Sequence, residues 1–266
     1  MQLVPLKEYP FDSRPMICAH RGDTSGGAIE NSINAVDAAL ATGAEMIEVD
    51  VQMTSDGILI CHHDAKLAET DQKPIFERTY ADLLASCSSS DIMPSFEEVL
   101  RHVSGKAYLN IEMKDYSGFH PSRFVHPLVS IVRDYKMHDR SLYSSFRFDH
   151  IRALPWDSLS VIIRPTSAIL EYFNALSISP VITPKPIELM LPSEILRLAH
   201  ATSFACTLAE ITDEVRGDIK KHNIFLSIYT ISTKAGFDHA LIDGAKAVVT
   251  DIPKELFIYR EQMLNT

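Results

Sequence analysis

Three histidines, an arginine and several carboxylates lie close together in the first half of this chain. They occur in ICAHRG at 17–22 and in MIEVDVQMTSDGILICHHD at 46–64. Because side chains alternate along a strand, Glu48 and Asp50 lie on one face of the second segment, opposite its apolar residues. Adjacent carboxylates repel each other and are costly to desolvate without a cation. The pair therefore indicates either a solvated face or a cation site.

A second predicted strand repeats this pattern and favours the cation site. In YLNIEMK at 108–114, the side chains of Asn110, Glu112 and Lys114 share one face. A solvated face is the ordinary explanation for one antiparallel strand, but it is weaker when the pattern recurs. The three carboxylates on these two strands therefore predict a metal site.

Length and charge limit the classes of protein to which the chain can belong. It has 266 residues, of which 46% are hydrophobic and 23% are charged, and its formal net charge is −10. This length suits a single α/β barrel or two smaller domains. The acidic balance argues against an extended nucleic-acid-binding surface, although a local positive spot can still bind one phosphate.

No segment of the sequence predicts membrane insertion. The first 15 residues lack the apolar core of a signal peptide, and no later run is long enough to span a bilayer. Cys18, Cys61, Cys87 and Cys206 are scattered, without the spacing of a disulfide framework or a zinc site. We therefore expect a soluble, cytoplasmic protein with reduced thiols.

Short β-rich runs alternate with amphipathic stretches along the whole chain. The predicted strands are 16–20, 46–52, 58–62, 107–113, 141–145, 159–163, 203–207, 225–230 and 247–250. The predicted helices are 31–42, 95–103, 149–154, 168–176, 193–201, 209–222 and 235–243. Eight strand–helix units predict a TIM (β/α)₈ barrel, as one domain over residues 1–266. A turn at 55–57 makes 58–62 an extra hairpin strand beside 46–52.

The polar residues fall where such a barrel builds its active site, at the C-terminal ends of its strands. His20, His63, Glu112, Tyr229 and Asp251 each lie at or just after the end of a predicted strand. Groups that are distant in sequence thus converge on one rim. This convergence is more specific than any single residue and predicts an active site there.

The ordered motifs of the chain resemble those of the glycerophosphodiester phosphodiesterases. The matching segments are HRG at 20–22, EN at 30–31, GAEMIEVDV at 43–51, DG at 56–57, HD at 63–64 and NIEMK at 110–114. Further matches at 93–100, 144–146, 229–230 and 250–253 extend the resemblance over nearly the whole length. It implies a TIM barrel of the phospholipase C-like phosphodiesterase type, which hydrolyses glycerophosphodiesters to glycerol 3-phosphate and an alcohol.

The resemblance also implies a role for each site residue. Glu48, Asp50 and Glu112 would hold one divalent cation, for which all-oxygen ligands suit Mg²⁺ or Ca²⁺. His20 and His63 would be the acid–base pair, with His20 as the first base and a cyclic phosphate as intermediate. The residues that would bind the substrate or its phosphate are Arg21, Lys114, Glu30 and Tyr229.

The start of the first helix carries two further predictions. Asn31 is expected to cap this helix, with Ser32 as the other candidate. Glu30 is expected to reach either the phosphate-binding Arg21 or the metal. The motif EN would therefore serve both the helix and the site.

Several features depart from the family pattern. Tyr229 stands where tryptophan is usual, and Ser232 stands where asparagine is frequent. The stretch between His63 and Glu112 is short, which predicts a small or reduced cap. The segment 164–202 is long and would replace the cap or form a homodimer contact. These departures concern the substrate and leave the proposed chemistry intact.

Two other functions stay open. One is a related barrel phospholipase that cleaves sphingomyelin or lysophospholipids by metal-assisted cyclisation. The other is a non-catalytic barrel that binds a phosphorylated metabolite. The HRG and EN motifs favour the glycerophosphodiesterase over the first, and the complete set of histidines and carboxylates argues against the second. In all three cases the expected partner is a small molecule, without nucleic acid or stable membrane insertion.

Overall fold

The structure, a computed structural model, describes residues 3–67, 73–87, 93–166, 169–171, 173, 183 and 185–265. Its strands are β1 (Met16–Ala19), β2 (Met46–Met53), β3 (Leu59–Cys61), β4 (Tyr108–Met113), β5 (Ser141–Ser145), β6 (Leu159–Ile163), β7 (Ser203–Cys206), β8 (Leu226–Ile231) and β9 (Ala247–Thr250). Its α-helices are α1 (Ile33–Ala41), α2 (Tyr80–Ser86), α3 (Phe96–Val103), α4 (Ser122–Asp134), α5 (Phe148–Arg152), α6 (Pro192–Ala199), α7 (Asp213–His222), α8 (Lys234–Ile242) and α9 (Pro253–Leu264).

Eight parallel strands close into a barrel in the order β1, β2, β4, β5, β6, β7, β8 and β9, with β9 pairing back to β1. The remaining strand, β3, is antiparallel and pairs with the C-terminal part of β2. Both the TIM barrel and the extra hairpin strand are therefore confirmed. In the register of β2 with β4, Glu48 lies opposite Asn110 and Asp50 lies opposite Glu112. The pairing itself thus brings the three carboxylates together.

The alternation of side chains divides the core into two layers. Ile47, Val49 and Val51 of β2 pack in the larger apolar cluster, between the sheet and the surrounding helices. Met46 packs in a second cluster that fills the barrel interior. Because Glu48 and Asp50 share the face of Met46, their carboxylates point into the barrel. All eight residues of β2 are buried, so neither carboxylate lies on a solvated face.

The sequence prediction lacks α2, α4 and α9. In α4 the residues Phe124, Leu128 and Val132 form a buried face, but Pro127 interrupts the helical signal. The first residue of α9 is Pro253. Proline is favoured at the first position of a helix, but this signal was not used to predict α9. Of the helix predicted at 168–176, residues 168, 172 and 174–176 lie outside the described residues, and the others are helical. None of the described helices combines the length and apolar composition needed to cross a bilayer.

The loop between β1 and α1 approaches the helix unusually closely. Gly22 has a φ of +87°, and a Cβ there would lie 2.6 Å from the carbonyl carbon of Ala35. The helix is capped by Ser32, whose Oγ accepts the Ala35 N–H at 3.1 Å. The prediction that Asn31 caps α1 is therefore wrong. Asn31 precedes the cap in the left-handed region, with a φ of +60°, and its side chain is free to serve the site.

A buried ion cluster lies at the opposite, N-terminal end of the barrel. Arg260 is 1% exposed, and its Nη1 donates to Glu45 Oε2 at 2.6 Å and to the carbonyl of Pro15 at 2.7 Å. Arg14 Nε donates to the other oxygen of Glu45 at 2.9 Å. Burial raises the pKa of Glu45, but the two guanidinium groups outweigh it and the net pKa is lowered. Both carboxylate oxygens of Glu45 are thus paired with guanidinium groups at this end of the barrel.

Candidate active site

Three carboxylates meet at the C-terminal mouth of the barrel. One oxygen from each of Glu48, Asp50 and Glu112 lies within 4.8 Å of the others. The side chain of Asp50 is fully buried, and that of Glu112 is 13% exposed. Desolvated negative charges at this spacing require compensation by cations or by protonation.

Two side-chain cations compensate part of this charge. Lys114 Nζ lies 2.6 Å from Glu112 Oε1 and 3.6 Å from Asp50 Oδ1, and Arg21 Nε lies 3.2 Å from Asp50 Oδ2. Burial raises the pKa of Asp50, but Lys114 and Arg21 outweigh it, and the net pKa is lowered. Burial likewise lowers the pKa of Lys114, and Glu112 and Asp50 reverse that shift. These contacts keep Asp50 ionised and Lys114 protonated.

Glu48 is the acid that the cluster leaves uncompensated. Its Oε2 accepts the backbone N–H of Arg21 at 2.9 Å. Its Oε1 is buried and has no hydrogen-bond partner among the described residues. Burial, followed by the negative charge of Asp50, raises the pKa of Glu48. A cation among the three acids would satisfy this oxygen and hold Glu48 ionised, and an all-oxygen donor set suits a hard divalent ion. The residues therefore fit a metal.

Asn31 braces Asp50 from the loop between β1 and α1. Its Nδ2 donates to Asp50 Oδ2 at 2.9 Å, and its Oδ1 accepts the backbone N–H of Asp50 at 2.9 Å. Both groups are buried. Asparagine tolerates the left-handed backbone that this position requires, which gives a physical reason for the asparagine in the EN motif. From the sequence, Asn31 was predicted only as a helix cap, and this contact was not predicted.

Each of the two predicted acid–base histidines is paired with a carboxylate. His20 Nδ1–H donates to Asp251 Oδ1 at 2.7 Å, and His63 Nδ1–H donates to Asp64 Oδ1 at 2.7 Å. A carboxylate acceptor places the ring proton on Nδ1, so that Nε2 of each neutral ring is able to take a proton. Burial lowers the pKa of His20, but Asp251 and Glu48 outweigh it and the net pKa is raised. Asp251 was predicted at the rim but without a role.

Glu30 contacts Arg21 and not the acid cluster. Both carboxylate oxygens of Glu30 accept from Arg21 Nη1, at 2.9 and 2.8 Å. The guanidinium is therefore held between Glu30 on one side and Asp50 on the other. Burial lowers the pKa of Arg21, but the negative charges of Asp50 and Glu48 raise it by a larger amount. The net pKa is raised, so the group stays charged.

Two cavities adjoin the acid cluster. The first, here called the interior cavity, has a volume of about 50 Å³ and is lined by residues that include His20 and Tyr229. The second, the rim cavity, has a volume of about 240 Å³ and is lined by residues that include His63. Glu112 and Phe146 line both cavities, and the Phe146 ring meets the Tyr229 ring edge-on at 6.3 Å. Of the predicted site residues, His20, Glu48 and Tyr229 line the interior cavity, His63 and Lys114 line the rim cavity, and Glu112 lines both.

Comparison with known proteins identifies the family. The family model for the Glycerophosphoryl diester phosphodiesterase family matches residues 20–255. The chain belongs to this family. This match confirms the family predicted from the motifs and the predicted enzyme class, a phosphoric diester hydrolase.

Two curated relatives agree with this membership. The glycerophosphodiester phosphodiesterase of Caldanaerobacter subterraneus is 25% identical over 256 residues, covering 91% of this chain and 96% of the relative. The enzyme of the same name from Bacillus altitudinis is 26% identical over 265 residues, covering 93% and 98%.

Two solved structures share the fold. A putative glycerophosphoryl diester phosphodiesterase from Silicibacter pomeroyi has a TM-score of 0.76 at 19% identity, covering 96% of this chain and 95% of that one. An Oleispira antarctica phosphodiesterase, solved in complex with the product sn-glycerol-3-phosphate, has a TM-score of 0.72 at 20% identity, covering 95% and 98%. At these identities the likeness supports the barrel and not the substrate.

Proposed function

We propose that this chain hydrolyses glycerophosphodiesters to glycerol 3-phosphate and an alcohol. The observation that carries the proposal is a pair of histidine–carboxylate couples, His20–Asp251 and His63–Asp64, beside one buried cluster of acids. Membership of the family supports it. So do the names of two relatives that match over more than nine-tenths of the chain.

Glu48, Asp50 and Glu112 are proposed to hold one divalent cation, either Mg²⁺ or Ca²⁺. The unpartnered Oε1 of Glu48 and the all-oxygen donor set support this assignment. When bound, such an ion would polarise a phosphoryl oxygen and offset the charge that develops at phosphorus. Arg21 and Lys114 would add fixed positive charge beside the same oxygens.

In the proposed first step, His20 acts as base and His63 acts as acid. His20 Nε2 takes the proton of the glycerol 2-hydroxyl, and that oxygen attacks phosphorus. The bond between phosphorus and the alcohol oxygen breaks, and the leaving oxygen takes a proton from Nε2 of His63, which enters the step as the imidazolium paired with Asp64. The products are a cyclic glycerol phosphate and the free alcohol. Asp251 and Asp64 would orient the two rings through Nδ1 and stabilise the imidazolium that each forms in turn.

In the proposed second step the two histidines exchange roles. His63 Nε2 takes a proton from water, and the water oxygen attacks phosphorus. The bond from phosphorus to glycerol O2 breaks, and O2 takes the proton that His20 carries. This step yields glycerol 3-phosphate and restores both rings. Tyr229, which lines the interior cavity beside His20, is proposed to contact the glycerol carbons.

The direct test is release of glycerol 3-phosphate from a panel of glycerophosphodiesters by the purified protein. We expect turnover with Mg²⁺ or Ca²⁺, loss of turnover with a chelator, and recovery when one of the two ions is restored. Release of ceramide from sphingomyelin, or of a cyclic phosphate from a lysophospholipid, in place of glycerol 3-phosphate would favour the related barrel phospholipase. Binding of glycerol 3-phosphate without turnover of any diester would favour the non-catalytic barrel.

The cytoplasmic location, the single domain and the homodimer stay predictions. The predicted cap replacement or dimer contact at 164–202 is a prediction as well. Within that segment, residues 167–168, 172, 174–182 and 184 lie outside the described residues. Size measurement in solution would test the dimer directly.

A further inference from the structure

The rim cavity has a wall of unusual composition for a site that handles a phosphate. Tyr116, Phe146 and Phe173 present three aromatic rings to it, and Ile169 adds an aliphatic surface. Tyr116 and Phe173 also pack together in one apolar cluster. A wall of this kind favours contact with a carbon-rich group over contact with water.

Each charged side chain that the described residues contribute to this wall lies against a polar or charged neighbour. Lys114 contacts Glu112 at 2.6 Å, and Asp64 accepts from His63 at 2.7 Å. Arg147 pairs with Asp149 at 2.6 Å. Asp115 is only 3% exposed; one of its carboxylate oxygens accepts the Ser117 N–H at 3.0 Å, and the other is buried 3.7 Å from His150 Nε2. A charged arm in this cavity would therefore lose hydration without reaching an exposed, unpaired counter-charge.

The ring of Phe146 also disfavours a second cation. Lys114 Nζ lies over this ring, 5.4 Å from its centroid. An aromatic face that already holds one ammonium group repels another, because the two positive charges would lie close together. The cavity is therefore poorly suited to a quaternary ammonium, despite its aromatic wall.

We propose that the rim cavity binds the alcohol arm of the diester and selects a neutral, carbon-rich alcohol over a charged or polyhydroxylated one. This inference rests on the proposed function. The rim cavity lies beside His63, the proposed acid for the departing alcohol, whereas the smaller interior cavity lies beside His20, the proposed base for the glycerol hydroxyl. The larger cavity thus lies beside the proposed leaving alcohol, which varies among substrates, and the smaller one lies beside the fixed glycerol arm.

Tyr116 connects this wall to the proposed acid. Its hydroxyl donates to the backbone carbonyl of His63 at 3.2 Å. Replacing the hydroxyl and replacing the ring are therefore separable changes. Tyr116→Phe keeps the ring and removes the hydrogen bond, whereas Tyr116→Ala removes both.

Three synthetic diesters separate the effects of shape and charge. They are the glycerophospho esters of methanol, of choline and of 3,3-dimethylbutanol, which is the neutral analogue of choline with the same shape. The ammonium group makes choline the better leaving group, so chemistry without selection would favour choline. We expect kcat/KM for the dimethylbutyl ester to exceed that for the methyl ester by about 10- to 100-fold, the effect of burying one apolar side chain. We also expect it to exceed that for the choline ester.

Variants then assign the preference to this wall. Phe173→Ala and Tyr116→Ala should lower the dimethylbutyl-to-methyl ratio of kcat/KM at least threefold, whereas Tyr116→Phe should retain the ratio. Phe119→Ala is the matched control, because Phe119 is an exposed ring stacked on Arg123, outside the cavity lining. Its ratio should equal that of the unmodified protein.

The outcomes distinguish this inference from the proposed function. If no ester releases glycerol 3-phosphate, the proposed function is wrong and the inference falls with it. If all three esters release it but choline is preferred, or the dimethylbutyl-to-methyl ratio is near one, only the inference is wrong. A high ratio that survives both Phe173→Ala and Tyr116→Ala also overturns the inference.

Discussion

Replacing Asn31 tests how the fold positions the acid cluster. The side chain makes two buried hydrogen bonds, one to the carboxylate of Asp50 and one from its backbone N–H, both at 2.9 Å. A neutral buried hydrogen bond contributes about 0.5–1.5 kcal/mol, and one to a charged group about 1.5–3 kcal/mol. Asn31→Gly should therefore lower the free energy of unfolding by about 2–4 kcal/mol, measured by denaturant titration in chelator-treated buffer.

Two further variants separate the side chain from the backbone. Glycine adopts the left-handed region freely, whereas alanine at a φ of +60° costs about 1–2 kcal/mol more. Asn31→Ala should thus be less stable than Asn31→Gly by that amount. Asn31→Asp keeps the acceptor for the Asp50 N–H but turns a carboxylate oxygen toward Asp50 Oδ2, where like charges repel.

The same variants should weaken the proposed metal site. Loss of a partner that orients a metal ligand typically costs 10- to 100-fold in metal affinity or activity. We expect the metal concentration for half-maximal turnover to rise by about that factor in Asn31→Gly. An Asn31→Gly protein within 0.5 kcal/mol of the original stability, with an unchanged metal titration, would refute the role given to this residue.

Three other sets of variants test the proposed acid–base pair, the proposed metal site and the buried pair of Glu45 and Arg260. His20→Ala and His63→Ala should each lower turnover by about 10²- to 10⁴-fold while metal binding, measured by calorimetry, stays intact; near-normal rates would exclude them as acid and base. Asp50→Ala should raise the metal requirement sharply, because it removes a buried ligand, and an unchanged titration would count against the site. Glu45→Gln should lower the unfolding free energy at pH 7 by about 1.5–3 kcal/mol, the contribution of a hydrogen bond to a charged group, since Arg260 then keeps only the carboxylate of Glu261. Because the folded pKa of Glu45 is lowered, its contribution is present above the unfolded pKa of about 4.3 and is lost as the pH falls through the folded pKa. The stability difference between the two proteins should therefore shrink below about pH 4, and a constant difference down to pH 3 would contradict this account.

The strands of the barrel could be predicted because each carries a local signal. In β2 the alternation of Ile47, Val49 and Val51 with Glu48 and Asp50 determines which side chains share a face, and the structure buries both faces. Recurrence of this pattern in β4 was enough to predict that the carboxylates converge. The barrel then followed from the number of strand–helix units.

The helix α4 and the role of Asn31 required information that is not local. Pro127 obscures the apolar face of α4, and tertiary packing against the sheet outweighs the cost of the interrupted hydrogen bond. Asn31 and Asp50 are separated by 19 residues, and only the closed barrel brings the amide to the carboxylate. From the sequence the residue had a plausible local explanation as a cap, and that explanation concealed the longer-range one.

Glu45, which directly precedes β2, and Glu48, which lies within it, belong to the two ion clusters at opposite ends of the barrel. Both carboxylates are desolvated, yet the pKa of Glu45 is lowered and that of Glu48 is raised. The difference lies in their partners, because two guanidinium groups bind Glu45, whereas Glu48 receives one backbone N–H and keeps an unpartnered oxygen. A buried acid without a partner lowers the stability of the fold, and a substitution to an apolar residue would relieve that cost. Its presence at the mouth is therefore best explained by a ligand that supplies the missing positive charge, and perturbed acids of this kind are typical of functional sites.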